Sequence, residues 1–207
     1  CFVIIISGFK NLFNCDKNAA IPLTIDDVSR IHTQGGSILR TSRDYPGRVK
    51  EKFKVLIATL KQLRIRYLIT IGGEGTLFMA NWIEREARGF INVVHVPKTI
   101  DNDIPLPEGA STFGYQTARH LGVKLVKNIM EDARTTGRWY FITTMGRHSG
   151  HLALGIGKAA GATITLISEE FEDKISFKKV ADILAGSVIK RLSMGRDHGV
   201  AVLAEGI

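Results

Sequence analysis

The alternation of short apolar runs with longer amphipathic stretches limits the possible folds of this chain more than any other feature. Runs rich in β-branched, aromatic and other apolar residues predict strands at residues 2–7, 67–71, 92–96, 139–144, 163–167 and 199–204. Most of them are apolar along their whole length, which is typical of parallel strands covered on both faces. Strands that alternate with helices predict an α/β fold with mostly parallel sheets flanked by helices.

Apolar residues at helical spacing mark the stretches between these strands. In α/β sheets, ligands bind beyond the carboxyl ends of the strands, where loops meet helix N-termini. Motifs that directly follow a predicted strand are therefore the candidates for function. The stripes that predict buried helix faces are Phe53, Leu56, Ile57, Leu60 and Leu63; Ala118, Leu121, Leu125 and Ile129; and Phe177, Val180, Ala181, Leu184 and Val188.

Length, cysteine content and charge exclude several classes of protein. The 207 residues allow a sizeable core, and Cys1 and Cys15 form no Cys-x-x-Cys pair, so neither a disulfide framework nor a zinc site is indicated. The net charge of +8 is scattered rather than clustered with aromatic residues, so nucleic acid is not an expected partner. Residues 1–6 are too short for a membrane span and lack a basic leader. We expect a cytoplasmic location without membrane association, and further residues upstream, because the chain opens with a strand and without methionine.

A glycine-rich turn follows the predicted strand at residues 67–71. It is Gly-Gly-Glu-Gly-Thr at residues 72–76, and a helical stretch comes after it. Glycines allow the backbone to approach phosphate oxygens, and a helix N-terminus offers free N–H groups. The carboxylate of Glu74 fits such a site when it helps to hold Mg²⁺, which prefers oxygen ligands together with phosphates. The alternative is a tight strand-to-helix turn without a ligand.

An acidic cluster follows the predicted strand at residues 92–96. Asp101 and Asp103 lie two positions apart, near Lys98, in Pro-Lys-Thr-Ile-Asp-Asn-Asp at residues 97–103. Like charges this close raise the pKa of one carboxyl, and a nearby metal or lysine lowers it again. One aspartate is suited to act as general base on a hydroxyl while the other serves a metal. The alternative is an Asx-rich turn whose side chains bond their own backbone.

A third motif, Met-Gly-Arg-His-Ser-Gly at residues 145–150, follows the predicted strand at residues 139–144. An arginine flanked by glycine at a strand end is suited to a phosphate or to a developing phosphoryl charge, and the alternative is a solvated loop arginine. The tripeptide Met-Gly-Arg recurs at residues 194–196, between a predicted helix and a strand. There, glycine predicts the end of the helix and arginine complements the helix C-terminus. His148 and His151 flank the third motif, but no histidine pair has metal-ligand spacing.

In their order and composition, these three motifs resemble the 6-phosphofructokinase family, whose members depend on ATP or on pyrophosphate. Segments at residues 36–43, 113–118 and 204–206 extend the resemblance over almost the whole chain. The acidic motif followed by Met-Gly-Arg is highly specific, whereas the glycine turn alone also occurs in NAD kinases and lipid kinases. The resemblance implies Rossmann-like layers, incomplete at both ends, and transfer of a phosphoryl group to the 1-hydroxyl of fructose 6-phosphate.

The resemblance implies a role for each matching residue. The general base for the sugar hydroxyl matches Asp101, and the catalytic group also includes Thr99, Arg147 and Lys98. Mg²⁺ is implied beside Glu74 and Asp103. The residues implied to bind the phosphoryl donor are Arg43, Gly72, Gly73, Glu74, Gly75 and Thr76. Those implied to bind the sugar phosphate are Thr99, Asp101, Asp103, Arg138, Met145, Gly146, Arg147 and Glu205.

The resemblance also implies an assembly and two domains. Arg138 matches an arginine that binds the sugar phosphate of a neighbouring subunit, so a homotetramer or homodimer is expected. Residues 1–136 are expected to form the donor-binding domain, and residues 137–207 the start of the sugar-phosphate-binding domain. The family has a glycine-rich turn before residue 1 and further basic residues after Ile207, so these 207 residues alone are expected to be inactive.

The resemblance leaves the donor between ATP and pyrophosphate. Pyrophosphate users tend to carry aspartate at the position of Gly75, where it would repel a nucleotide's α-phosphate, so Gly75 favours ATP. Lys98 is usual in pyrophosphate users but also occurs in some ATP users, so it is compatible with either donor. Because Gly75 removes a direct repulsion of a nucleotide, ATP is the expected donor. Two residues depart from the family: it more often has aspartate at Glu74 and glycine at Arg40. The longer side chain at Glu74 should shift a metal ligand.

Three other functions stay open. A catalytically silent regulatory paralogue should have lost the base or a phosphate-binding arginine, yet Asp101, Arg43 and Arg147 are all present. A NAD- or lipid-kinase relative would share only the glycine turn, and it would turn over NAD or diacylglycerol. Nucleic-acid binding rests on charge alone, and it would weaken steeply with added salt.

Overall fold

The protein is a mixed α/β structure in this computed structural model, with parallel sheets flanked by helices, as the sequence predicts. The structure describes residues 2–42, 50–172 and 175–207. Two compact units divide the chain: unit 1 comprises Cys1–Thr70 and Phe78–His95, and unit 2 comprises Ile71–Leu77 and Val96–Ile207. The division at residue 137 into donor-binding and sugar-binding domains stays a prediction, because packing alone does not tell which ligand a domain holds.

The helices and strands have these bounds in the part of the chain that the structure describes. The strands are β1 Val3–Ile5, β2 Ala20–Pro22, β3 Tyr67–Gly72, β4 Asn92–Thr99, β5 Phe113–Gly114, β6 Trp139–Thr144, β7 Ile164–Leu166 and β8 Gly199–Ala204. The α-helices are α1 Phe9–Phe13, α2 Ile25–Val28, α3 Lys50–Gln62, α4 Glu74–Ala87, α5 Tyr115–Thr136, α6 His151–Ala160 and α7 Phe177–Ser193. None of these helices is long and apolar enough to cross a membrane. Short 3-10 helices lie at Lys17–Ala19, Ile31–Thr33, Pro107–Gly109 and Ser168–Glu170.

The strands form sheets that are mostly parallel. One sheet has the order β3-β4-β5, with β4 and β5 parallel, and another has the order β6-β8-β7, with both pairings parallel. The strand predicted at residues 2–7 is wrong in its length and in its pairing, because β1 covers only Val3–Ile5 and pairs antiparallel with β2. Ser7 and Gly8 both have a φ of 59°, which ends the extended conformation after β1.

Unit 1 is built on the first predicted helix stripe. Phe53, Leu56 and Leu60 on α3 are at most 5% exposed, and they pack with α1 and α4 in one apolar cluster. Ile57 and Leu63 pack against the same cluster as partly buried residues. Burial of each large apolar side chain contributes roughly 1.5–3 kcal/mol, so this stripe stabilises the unit.

Unit 2 is built around α5, α6 and β8, and here the second predicted stripe is wrong in part. Leu121 and Leu125 are 57% and 55% exposed, whereas Val126 and Ala133 are buried in the core. The buried face of α5 is rotated because Gly122 meets α6 closely: a Cβ at Gly122 would overlap the side chain of Ile156. Periodicity alone cannot show such a close approach between two helices.

The third stripe and the strand faces also differ from expectation. On α7, Phe177 is 90% exposed, although the rest of its stripe is partly buried. Apolar strand residues were expected to be covered on both faces, yet Ile69 and Phe141 are 61% and 53% exposed. Helices in the described residues therefore cover these strands on one face more than on the other.

Candidate active site

Most of the predicted site residues gather in unit 2, at or just beyond the carboxyl ends of β3, β4, β6 and β8. These are the positions at which parallel α/β sheets carry their ligands. Two residues are exceptions: Arg138 directly precedes β6, and Arg43 lies outside the described residues.

The glycine turn joins β3, which ends at Gly72, to α4, which begins at Glu74. Gly72 has to lack a side chain, because a Cβ there would overlap the hydroxyl of Thr76. Gly73 lies against Thr99, since a Cβ on Gly73 would be 3.5 Å from the Thr99 Cβ. A Cβ on Gly75 would meet nothing within 4 Å, so this glycine borders open space. The turn thus lies next to the end of β4 and leaves room beside Gly75.

The acidic motif begins inside β4, which runs three residues beyond its predicted end to Thr99. Lys98 and Thr99 pair in parallel with Phe113 and Gly114 of β5, a short strand that the sequence did not indicate. After the strand, Asn102 has a φ of 55°, a left-handed conformation that Asn tolerates better than most residues. The two aspartates therefore flank a sharp change of backbone direction.

Hydroxyl groups fix the backbone of this acidic loop. The N–H of Asp101 donates to Thr99 Oγ1 at 3.2 Å, and Thr112 Oγ1 donates to the carbonyl of Thr99 at 2.7 Å. The N–H of Thr112 donates to Asn102 Oδ1 at 2.9 Å. Thr112 is only 2% exposed, so these bonds are shielded from water. Thr112 had no predicted role, because the loop that separates it from Asn102 hides the contact from the sequence.

The carboxylates in this loop are only partly satisfied. Within the described residues, Oδ1 of Asp101 and Oδ1 of Asp103 are buried atoms without a hydrogen-bond partner. Burial raises the pKa of the Asp101 carboxyl, and the charges of Asp103 and Glu205 raise it further, while Arg147 and His148 lower it. Buried polar atoms without partners are uncommon in folded proteins, so these two oxygens are candidates for contact with a ligand or a cation.

The third motif follows β6, and its glycine is required by the backbone. Gly146 has a φ of 130°, and a Cβ there would overlap the carbonyl oxygen of Ser149. In the parallel register of β6 with β8, Thr144 pairs with Ala204, which brings Glu205 beside the motif. Arg147 Nε lies 3.9 Å from Glu205 Oε1, and the arginine side chain is 78% exposed. The guanidinium is therefore available to an incoming anion.

Two side chains join the third motif to the acidic loop. Ser149 Oγ donates to the carbonyl of Asp101 at 2.5 Å, and His151 Nδ1 lies 2.9 Å from the carbonyl oxygen of Asn102. These partners are 48 and 49 residues apart in the sequence. The structure thus brings together motifs that the sequence could relate only by their positions after strands.

Arg138 lies apart from these residues. It directly precedes β6, whereas Met145 directly follows the strand and Arg147 lies three residues beyond its end. Six strand residues span about 20 Å, so the opposite ends of β6 cannot serve one small ligand. A role for Arg138 in a neighbouring subunit's site is compatible with this position and stays a prediction.

The second Met-Gly-Arg tripeptide ends α7, as predicted. Its Gly195 has a φ of 71°, and the N–H groups of Gly195 and Arg196 donate back to carbonyls of the last helical turn, those of Leu192 and Arg191. This is the left-handed helix termination that glycine favours. The tripeptide precedes β8, so it lies at the opposite end of that strand from Glu205.

Asp103 fits a magnesium ion that is shared with a substrate. Among the described residues, no group of three or more His, Cys, Asp or Glu side chains could hold a metal by itself. Mg²⁺ usually binds one or two carboxylates together with phosphate oxygens and water, so a larger cluster is not required. The unpartnered Oδ1 of Asp103 supplies one such hard oxygen.

Comparisons with known proteins agree along the whole chain. A family model described as Phosphofructokinase matches residues 2–207. The chain is 56% identical over 203 residues to the pyrophosphate–fructose 6-phosphate 1-phosphotransferase of Thermotoga maritima, covering 98% of this chain and 48% of that protein. It is 36% identical over 201 residues to the ATP-dependent 6-phosphofructokinase of Mycobacterium bovis, covering 97% and 54%.

A solved structure supports the same fold. The crystal structure of Pichia pastoris phosphofructokinase in the T-state matches with a TM-score of 0.80 and 25% identity, over 99% of this chain and 22% of that chain. The chain spans about half the length of the curated relatives it matches. The relatives differ in the donor that their names give, so the choice of donor does not follow from the fold.

Proposed function

Because this chain belongs to the phosphofructokinase family, we propose that it carries the catalytic centre of an enzyme that transfers a phosphoryl group to the 1-hydroxyl of fructose 6-phosphate. One observation carries the proposal: the buried, unpartnered Oδ1 of Asp101 lies in a loop bonded to the loop that carries Arg147. Asp101, as the base for the hydroxyl, and Arg147, as the cation for the phosphate oxygens, would therefore act from two loops that are bonded to each other.

The chemistry needs little from the protein beyond positioning and charge. Asp101 accepts the proton of the sugar hydroxyl as its oxygen attacks the donor's terminal phosphorus, and the bond to the leaving phosphate breaks. Thr99 and Arg147, with Lys98 beside them, stabilise the transferring phosphoryl group. Mg²⁺, held by Asp103 and Glu74, would neutralise charge on the donor phosphates.

The sugar phosphate would bind beside the third motif. Met145, Gly146 and Glu205 would contact the sugar phosphate together with Arg147, whose Nε lies 3.9 Å from Glu205 Oε1. Arg138 would reach the sugar phosphate of a neighbouring subunit. This assignment makes the enzyme a homo-oligomer, a dimer or a tetramer. The glycine turn at residues 72–76 and Arg43 would bind the donor, and a cytoplasmic location stays a prediction.

Pyrophosphate is the donor that we favour, which corrects the preference for ATP drawn from Gly75. The pyrophosphate-dependent relative from Thermotoga maritima is 56% identical, against 36% for the ATP-dependent relative from Mycobacterium bovis. Lys98 is compatible with either donor, so it does not oppose this choice. Gly75 alone does not decide the donor, because an absent carboxylate removes one repulsion without adding any contact to a nucleotide.

ATP remains the second candidate, and one observation favours it. A Cβ on Gly75 would meet nothing within 4 Å, so space for an α-phosphate is open beside the glycine turn. If ATP is the donor, Gly75→Asp should lower its kcat/KM about 100-fold by charge repulsion and leave pyrophosphate turnover within about 3-fold.

The deciding experiment measures phosphoryl transfer to fructose 6-phosphate by the complete protein with Mg²⁺, using pyrophosphate and ATP in parallel. Turnover with pyrophosphate supports the proposal, and turnover with ATP alone would identify ATP as the donor. Asp101→Asn should lower kcat about 10³-fold with either donor, because the base is lost. An inactive parent protein that nevertheless binds fructose 6-phosphate would indicate a silent regulatory paralogue.

A further inference from the structure

The backbone of Asp101 is held on both sides by hydroxyl groups. Its N–H donates to Thr99 Oγ1 at 3.2 Å, and its carbonyl accepts from Ser149 Oγ at 2.5 Å. Its side-chain Oδ1, in contrast, is buried without a partner among the described residues. The main chain is therefore fixed while the carboxylate oxygen is left for another molecule.

Ser149 is itself firmly placed. It is 5% exposed, and it lies in the turn that leads into α6. The N–H of the next residue, Gly150, donates to Glu169 Oε1 at 2.7 Å, and a Cβ on Gly150 would overlap the side chain of Ile167. A buried donor on a braced turn loses little conformational freedom when it forms its bond, so its position is transmitted to its acceptor.

We propose that Ser149 is a positioning residue that holds the backbone of Asp101, and with it the carboxylate, in line with the reacting hydroxyl. The proposal rests on the function proposed above. Ser149 donates to the Asp101 carbonyl and leaves the carboxylate free, so its effect on rate passes through the placement of Asp101. His151 adds a second link between the same loops, through the carbonyl of Asn102.

The loss of this bond should lower the rate of the chemical step more than the binding of substrate. A displacement of about 1 Å at a reacting group can cost about 100-fold in rate. Ser149→Ala should therefore lower kcat about 10- to 100-fold while the KM for fructose 6-phosphate changes by less than about 3-fold. Ser149→Cys replaces the hydroxyl by a thiol, which is a weaker donor, and its kcat should lie between those of the parent and of Ser149→Ala.

The experiment uses the complete protein with Mg²⁺ and the donor that the parent accepts. Ser187→Ala is the matched control, since Ser187 Oγ also donates to a backbone carbonyl in unit 2, that of Ile183 at 2.9 Å within α7. Its kcat should stay within about 2-fold of the parent. The Tm of each variant is measured alongside, and Ser149→Cys decides the question if Ser149→Ala does not fold.

A double-mutant cycle separates positioning from general support of the fold. In an Asp101→Asn background, Ser149→Ala should lower the residual kcat by less than about 3-fold, because no carboxylate remains to be placed. Equal losses in both backgrounds, or an unchanged kcat for Ser149→Ala, overturn the inference. A parent protein without turnover overturns the proposed function itself, and the parent assay therefore distinguishes the two failures.

Discussion

The chain contains the tripeptide Met-Gly-Arg twice, and its two copies differ in how their loops are held. The copy at residues 145–147 follows β6, and its loop bonds to distant segments: Ser149 to Asp101, Gly150 to Glu169 and His151 to Asn102. The copy at residues 194–196 follows α7, and its N–H groups bond only a few residues back, to Arg191 and Leu192. The first loop depends on the fold, and the second closes a helix by itself.

The difference teaches that a short motif acquires its role from the end of the strand at which it lies. The first copy lies at the carboxyl end of β6, next to Glu205 and the acidic loop. The second precedes β8, so it lies at the opposite end of the same sheet. Parallel sheets gather ligands at the carboxyl ends of their strands, so Arg147, and not Arg196, lies at the end of the sheet where the proposed function requires a cation.

The largest expected contrast between the two copies is in the arginines. Arg147→Ala should lower kcat by about 10²- to 10³-fold, because a cation that stabilises charge in the transition state is removed. Arg196→Ala should leave kcat within about 2-fold, since surface changes far from a site have small effects. Steady-state kinetics of both variants in the complete protein measure the contrast, and similar losses for the two would remove the functional distinction between the tripeptides.

The next largest contrast is expected between the glycines of the two tripeptides, whose substitution should have different effects on stability and on activity. Gly146→Ala should destabilise the protein by about 2–5 kcal/mol, because the residue has a positive φ and its Cβ would overlap the Ser149 carbonyl. Gly195→Ala should cost only about 1–2 kcal/mol, since the positive φ is strained but nothing lies within 4 Å. Chemical denaturation measures both free energies of unfolding.

The same two glycine substitutions should also differ in their effect on kcat. Gly146→Ala should also lower kcat about 10-fold or more, because the loop that carries Arg147 has to move. Gly195→Ala should lose stability without losing rate. Equal effects of the two substitutions on kcat would show that the first loop does not have to keep its backbone path for catalysis.

The smallest expected effect concerns Glu169, which braces the first loop and has no counterpart in the bonds that close the second. Partial burial raises the pKa of the Glu169 carboxyl, but hydrogen bonds from the Gly150 N–H, its own N–H and the Ser168 hydroxyl outweigh it, so the pKa lies below its ordinary value of 4.5. A carboxyl with a lowered pKa stabilises the fold above its ordinary value, and this contribution is lost as the pH falls through the lowered pKa.

Glu169→Gln should therefore reduce the free energy of unfolding by less than about 1 kcal/mol at about pH 7, and by less still at about pH 3. Denaturation curves at the two pH values measure the difference. Glu170→Gln is the control, because the Gly150 N–H donates to Glu169 and not to its neighbour. A difference between Glu169→Gln and the parent that grew on acidification would contradict the assigned bond.

Much of the candidate site could be predicted because its parts are local. The glycine turn, the paired aspartates and the arginine follow strands whose apolar composition identifies them, and the end of α7 at Gly195 is fixed by its own φ and nearby carbonyls. Thr112, Ser149 and Glu169 could not be assigned in this way. Their partners are at least 10 residues distant along the chain, and no spacing rule connects them.

The sequence by itself determined the α/β alternation, the motifs after the strands and the contrasting context of the two tripeptides, because each of these depends on residues within a few positions of one another. The tertiary structure decided which face of α5 is buried, because Gly122 lies against Ile156 of α6. It also decided that the Asp101 loop is bonded to the Arg147 loop. Such contacts depend on strand register and helix packing, which arise only when distant segments exclude water from a shared core.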